Sequence, residues 1–469
     1  MMTGLWSRHF GFNQEIKTVV YKAVIPVDLY QEQWLGVYYK NEKIGYACRN
    51  IEKKDDGYRI SELLRIKLNI MDSIKEVETM TDAYLDSGLS LKSFNLVLKS
   101  DANITIKGRV EDKALRVLIE TPGAKSEKVI HLKDAPSLNL SIITEALKGG
   151  IKPGKKFSML MIDPATLNQE KMTIEVTGRE KITAMGIKQE AFKLKGSLKG
   201  ADFFMWIDDK GGMLREESPL GFTLVRETKE SAMRSASGRS IPSLDLIADV
   251  AVPFNMKLPP DINYLKVRLS GIDFKGLELE GGRQRFKGDV MEIIKEEIQN
   301  LKFKSQSLKS LDEYLQDTMF IQSKDPRIIA LAKEIVKDEK DRLKSARLIY
   351  EWIYKNIEKV PTITIPMATE VLKSRRGDCN EHTTLYVALA RAAGIPAKIA
   401  LGLTYKDGYF YYHAWPEIFI DRWIAIDPTL GQFPADAAHI RLLTGDIDKQ
   451  MKMLSVIGKI KIEGIEYRQ

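Results

Sequence analysis

Residues 375–386 read RRGDCNEHTTLY. A cysteine follows Gly377 and Asp378, and the residues after it, NEHTTLYVALARAAG, fall into a helical period. Leu385, Ala388, Leu389 and Ala392 share one face. Gly394 ends that helix, and Ile395-Pro396 turns the chain away. The spacing predicts Cys379 at or just before the first turn of a buried helix. There, unpaired backbone N–H groups and the positive end of the helix dipole favour a thiolate. Arg375 and Arg376 add positive charge, so a thiol of lowered pKa and good nucleophilicity is expected. Taken alone, such a cysteine reads more readily as a small buried hydrophobe.

A nucleophilic thiol needs a base, and the base needs an orienting partner. The chain has five histidines: His9, His131, His382, His413 and His439. Past the helix, AKIALGLTY reads as a strand and Asp407-Gly408 as a turn. YFYYHAWPEIFI and RWIAIDPTL then read as a hairpin carrying His413 on one strand and Asp427 on the other. Directly opposed residues of an antiparallel pair share a sheet face. An odd loop centred on Ile420, such as Phe419–Asp421, sets His413 opposite Asp427; a two-residue loop separates them unless a bulge intervenes. Trp415, Trp423 and Ala425 fall on the same face and shield the pair from water.

Gly377-Asp378-Cys379, LARAAGIPAKIALGLTY, His413-Ala414-Trp415-Pro416-Glu417 and Asp427-Pro428-Thr429, in this order, resemble the transglutaminase-like domain, a branch of the papain-like thiol fold. The resemblance covers the C-terminal third. It implies Cys379 as nucleophile, His413 as general base and acid, and Asp427 as the orienting carboxylate. It further implies thiol acyl transfer through a thioester resolved by water or an amine, with the Cys379 N–H as one oxyanion donor. Animal transglutaminases carry a tryptophan directly after the cysteine. Here Asn380 and Glu381 follow, as in the microbial branch, whose members are read as peptidases rather than cross-linkers.

The other reactive side chains read more plainly. His382 lies three residues after Cys379 and is expected to be exposed or to tune the thiol. A zinc site would need more ligands than this pairing offers, and Cys48 is the only other thiol, so neither a metal nor a cofactor is expected. His439, in DAAHI, is expected to make a structural hydrogen bond, with a place beside the site as the alternative. Cys48, Trp34 and Trp206 read as core, Gly211-Gly212 as a hairpin turn, and the Arg376-Gly377-Asp378 tripeptide as a by-product of the site.

Upstream, the pattern changes to period two. Runs such as SFNLVLKSDANITIKGRVEDKALRVLIETPG alternate apolar and polar residues, with turns at Asn41-Glu42-Lys43 and Asp55-Asp56-Gly57. One helical stretch, near Ser141–Leu147, interrupts them. The fold class expected is α+β: a papain-like, transglutaminase-like C-terminal domain preceded by a large, mostly antiparallel β-rich region. The divisions are an N-terminal segment (1–30), a β-rich domain (31–230), a linker and smaller β-rich region (231–305) and the transglutaminase-like domain (306–469). The Ser/Gly/Ala-rich stretch from Lys229 to Ser243 marks the first junction. In the last domain, Asp325-Pro326 starts a helix. Ile328, Leu331 and Ile335, then Ala346, Ile349 and Ile353, form helical core stripes.

The 469 residues carry a net charge of +8, a mild surplus that permits an anionic partner without requiring one. No dense basic stripe with interleaved aromatics is present, so nucleic acid is not an expected partner. No run is long and apolar enough for a membrane span. The opening residues lack a signal peptide's apolar core, so the chain as written reads as cytoplasmic. The β-rich region is similar to extracytoplasmic regions that precede such domains in bacterial envelope proteins, which points instead to the envelope or periplasm. The expected partner is a protein or peptide substrate, and the oligomeric state is open. The alternative to an enzyme is an inert transglutaminase-like scaffold or binding module of the bacterial envelope.

Overall fold

The structure is a computed structural model and describes residues 32–469 except 139–140, 148–149, 166, 168, 199, 235–243, 300–310 and 447–450. The segment 1–30, with His9, lies outside the described residues, as does most of the Lys229–Ser243 junction. The start of that junction, Lys229–Arg234, is a short helix.

The β-rich region forms one 14-stranded sheet. Its first eight strands, from Gln33–Tyr39 to Ala124–His131, form a meander. The last six, from Lys156–Ile162 to Phe222–Arg226, form a second. The meanders join where the first strand pairs antiparallel with the last, Val37 opposite Leu224. The period-two pattern explains which face is inward. Ile104, Ile106, Leu115, Val117 and Ile119 are buried, while Lys107, Arg109 and Arg116 between them face water. The first turn sits at Lys40-Asn41, one residue earlier than Asn41-Glu42-Lys43. Both of its residues take positive φ, the conformation that matches hairpin twist.

The outer ends of the sheet meet. Ser137, just past the eighth strand, donates to the Leu160 carbonyl and accepts from the Ile162 N–H, each at 2.8 Å. The Gln169 amide donates to the His131 carbonyl at 3.0 Å. Curling lets both meanders share one apolar core, which also takes in Met319, Phe320, Ile365 and Met367 from far along the chain. A polar tie sits beside it, where the Asp101 carboxylate accepts from the Ile363 N–H at 2.9 Å and pairs with Lys75 at 2.8 Å.

The remaining described residues surround a second core. The helix Pro326–Val336 is capped by Asp325, and Arg342–Asn356 by Asp341. Their buried stripes pack on the helix Cys379–Ala392. The strand order beside that helix is Val252–Pro253, Tyr409–Phe419, Ala397–Lys406, His439–Thr444, with Trp423–Ala425 also paired to Tyr409–Phe419. A smaller four-stranded sheet holds Tyr264–Ser270 next to the C-terminal strand Lys461–Arg468. Strands from before residue 300 therefore pair with strands from after residue 310 in both sheets. Among the described residues, no helix is long and apolar enough to cross a membrane.

Candidate active site

Cys379 is the first residue of the helix Cys379–Ala392, and the residues around it explain why the helix starts there. Asp378 is the N-cap, accepting from the Asn380 N–H at 2.8 Å. Glu381 completes a capping box by accepting from the Asp378 N–H at 3.0 Å. Glu381 also accepts from the hydroxyls of Thr362 at 2.9 Å and Thr364 at 2.6 Å. Gly377 is required for this approach, because a Cβ there would lie 2.2 Å from that of Glu381. The helix is buried on nearly every side, not on the single face that the pattern suggests. Several of its polar side chains bond to backbone carbonyls: Thr383 donates to Ala414 at 3.1 Å, Tyr386 to Ala346 at 3.1 Å, and Arg391 to Ala397 at 3.0 Å, while the buried Nε2 of His382 has no partner.

His413 sits on Tyr409–Phe419 opposite Gly402. A Cβ at Gly402 would meet the Ile440 carbonyl oxygen at 1.9 Å and the Trp415 ring at 2.9 Å, so glycine lets three strands and an indole close up. The His413 Nε2 lies 2.7 Å from Asp427 Oδ2. Cys379 lies close enough to His413 for each side chain to shift the other's pKa. The hairpin loop is odd, as parity requires, but centred on Asp421: Phe419 pairs with Trp423 and Glu417 with Ala425. That register sets Asp427 past the end of the second strand, diagonal to His413 on the same face, and its side chain covers the remaining distance. Trp415, fully buried, stacks at 6.1 Å from the His413 ring.

Asp427 has no solvent exposure. Its Oδ1 accepts from the N–H groups of Thr429 at 2.7 Å and Leu430 at 2.9 Å. Its Oδ2 faces two imidazoles, because His439 Nε2 lies 3.1 Å away. The other His439 nitrogen meets Asp436 Oδ1 at 3.0 Å. His439 thus belongs to the site, and Asp436, which the sequence reading missed, belongs with it. The only sequence signal was their proximity in DAAHI.

Electrostatics at the thiol run against the sequence-based expectation. Burial, and then the charge of Asp378, push the Cys379 thiol up, while His413 and the Ala414 N–H pull it down. Arg375 does not serve the thiol; its guanidinium lies over the Trp352 ring at 4.4 Å. Burial would lower His413, but Asp427 and Cys379 outweigh it and raise the imidazole to about 9. Burial works against the Asp427 charge too, and the two histidines still hold its carboxyl below the usual range. Of the groups around the sulfur, His413 is the one whose charge favours a thiolate. Asp378 is pushed up by burial and by Glu381, which weakens the negative charge next to the sulfur.

His382 is buried rather than exposed. Its Nδ1 bonds the Asp378 carbonyl at 2.7 Å, and burial lowers its pKa, so the ring is neutral. Cys48 lies in the large sheet, half-buried and unpaired, with its thiol pushed up to about 11 by burial and nearby carboxylates. Trp206 is core, and Trp34 is only half-buried. One group of possible metal ligands stands out. His413, Asp427 and His439 offer ligand atoms within 4.8 Å of one another. Those same atoms are hydrogen-bonded to each other, and a cation would have to displace two ring protons to enter.

Comparison with known proteins follows this geometry. Residues 329–428 match the Transglutaminase-like superfamily. An uncharacterized protein of Haemophilus influenzae is 35% identical over 112 residues, 21% of this chain and 29% of that protein. The uncharacterized protein YebA of Bacillus subtilis is 25% identical over 150 residues, 26% of this chain and 20% of its own. The chain therefore spans less than a third of the length of these curated relatives. A crystallised candidate cysteine protease of Cytophaga hutchinsonii gives a TM-score of 0.32 at 18% identity, covering 45% of this chain and 86% of that one.

Proposed function

Since the C-terminal part of this chain carries a transglutaminase-like domain, we propose that the protein is a thiol acyl-transfer enzyme. Its reaction is hydrolysis of a peptide or related amide through Cys379, His413 and Asp427. The observation that carries this reading is the His413 ring, bonded to Asp427 at 2.7 Å and with its pKa raised by both Asp427 and Cys379. Asp427 accepts a hydrogen bond from the Nε2–H group, which leaves the other nitrogen free as a base toward sulfur.

In the first step the Cys379 thiolate attacks the amide carbonyl, and the charge develops on oxygen at the helix N-terminus, near the unpaired Cys379 N–H. His413 then gives its proton to the departing amine and a thioester remains. A water molecule, deprotonated by His413, attacks the thioester; the acid leaves and the thiol is restored. Water exclusion by Trp415 and the buried strands strengthens each charge interaction. Asn380 beside the nucleophile, in place of tryptophan, favours water over a protein amine as acceptor. By this reading the partner is a protein or peptide substrate.

A second reading rests on the raised thiol of the partly buried Cys379, which suits an inert scaffold of the bacterial envelope. Alkylation by iodoacetamide against pH separates the two. Thiolate reactivity below about pH 7 supports the enzyme, and a single step near or above about 8.5 supports the scaffold. Turnover of a fluorogenic peptide panel and of a glutamine–amine pair, by wild type and Cys379→Ala, tests the activity itself. Equal turnover by both proteins would defeat the proposal.

A further inference from the structure

His439 is fully buried, with no exposure to solvent. Its two nitrogens are each aimed at a carboxylate, Nε2 at Asp427 Oδ2 (3.1 Å) and Nδ1 at Asp436 Oδ1 (3.0 Å). An ionised carboxylate only accepts hydrogen bonds. Both carboxylates are held in that form. Asp427 accepts two backbone N–H groups and His413, and Asp436 accepts from the Ala438 N–H at 3.0 Å and the Gln432 amide at 3.1 Å. A ring between two acceptors carries a proton on each nitrogen and is an imidazolium.

We infer that His439, clamped by Asp436, is a positioning residue of the acyl-transfer site: a buried cation that locks the Asp427 carboxylate and divides its charge with His413. The inference rests on the reading of Cys379 and His413 as a reacting pair. With two backbone donors on Oδ1 and two imidazoles on Oδ2, Asp427 cannot rotate without breaking several bonds. A buried Asp427 that served His413 alone would hold that imidazole protonated to still higher pH. The basicity needed when water attacks the thioester would then come only at more alkaline pH still. The second cation moderates this. The two flanking carboxylates outweigh burial and raise His439 to about 9.

The other groups packed here carry less weight in the balance. The Trp415 ring meets His439 edge-on at 5.2 Å, and the Thr404 hydroxyl is 3.5 Å from Nε2. The Arg283 guanidinium donates to the carbonyls of Ala435 and Asp436, and Glu296 lies beside it. Tyr350 and His382 also feel the Asp427 charge.

The sign of the effect is fixed by charge. Loss of a cation disfavours the Cys379 thiolate and favours the His413 imidazolium, so both pKa values rise. The test is the rate of Cys379 alkylation by iodoacetamide against pH, which needs no substrate. For the full chain, the lower step reports thiolate formation and the upper step reports loss of the His413 proton. His439→Gln should move both steps upward, by about one pH unit. Asp436→Asn keeps an acceptor for Nδ1 but removes a negative charge, and should move neither step upward. Unmoved steps in a folded His439→Gln protein would overturn the inference and leave a purely structural role.

If His439→Gln does not fold, nitrogen-15-labelled histidine in the wild-type chain decides. At pH 7.5, His439 should retain both ring protons; a neutral tautomer would overturn the inference. If wild type shows one alkylation step near or above about 8.5, the enzyme reading fails. The charge state of His439 is read from the same nitrogen spectra in either case.

Discussion

At the scale of single residues, the site sets a sulfur, an imidazole and a carboxylate in series. Cys379→Ala should abolish amide hydrolysis while leaving the denaturation midpoint nearly unchanged, since loss of one sulfur leaves little cavity. His413→Ala should cost at least about a hundredfold in kcat, because it removes both the base and the acid. Asp427→Asn should cost less, because thiol and imidazole remain. Steady-state rates of the three purified variants check that order. The same groups set a pH dependence of stability. His413 and His439 sit near 9 in the fold, against about 6.5 for an unfolded histidine. Their contribution is therefore complete below about 6.5 and is lost as pH rises through 9. The Asp427 carboxyl is depressed in the fold. Its contribution is present above about 3.9 and is lost as pH falls below that value. Melting temperature against pH should show a plateau between these limits with a fall on each side. A melting temperature still rising between pH 7 and 9 would contradict this balance.

At the scale of elements, the helix Cys379–Ala392 owes its start to a capping box pinned from outside. Glu381 is 4% exposed and takes hydrogen bonds from the Asp378 N–H and from the hydroxyls of Thr362 and Thr364. Glu381→Ala strands those donors and should destabilise the fold by about 1–3 kcal/mol. Activity should fall as well, because the N–H of Cys379 is aimed by the same turn. Urea denaturation read alongside peptide turnover separates the two effects. The hairpin bearing His413 is anchored in a comparable way. Glu417, on the same strand, accepts two bonds from Arg441 at 3.0 and 3.1 Å and pairs with Lys398 at 3.2 Å. An ion pair buried this deeply offers little net stability but tolerates no loss of one partner.

At the scale of the whole molecule, the large sheet and the site share a seam. Met319, Phe320, Ile365 and Met367 complete the core of the sheet, and the Thr362–Thr364 stretch beside them holds Glu381. We propose that 31–230 and the remainder are two bodies joined at this seam. A fragment ending at residue 230 loses those four apolar side chains from its core. It should melt below the corresponding transition of the full chain and bind a hydrophobic dye more strongly. Limited proteolysis of the full chain should cut first between Lys229 and Ser243. A fragment as stable as the intact protein would show that the seam contributes nothing.

Local signals were enough to find the helix that begins at Cys379, the Asp325 cap and the face shared by His413 and Asp427. Each depends on neighbours in sequence or on strand parity, and the structure has His413 and Asp427 in contact at 2.7 Å. The hairpin centre was missed by one residue, because parity fixes the face and not the register. What tertiary structure alone decided depends on burial and on long-range pairing. Cys379 looked like a thiol of depressed pKa from its helix position. Desolvation by the surrounding core reverses that direction, and His413 opposes it only in part. His382 looked exposed because the helix has an apparent polar face, but the helix is enclosed on nearly every side. His439 joins the site through the pairing of its strand with Ala397–Lys406, where it lies opposite Thr404. Periodicity identifies which side of an element is apolar. It carries no information on which distant strand lies next to it, or on how far the assembled core withdraws a charge from water.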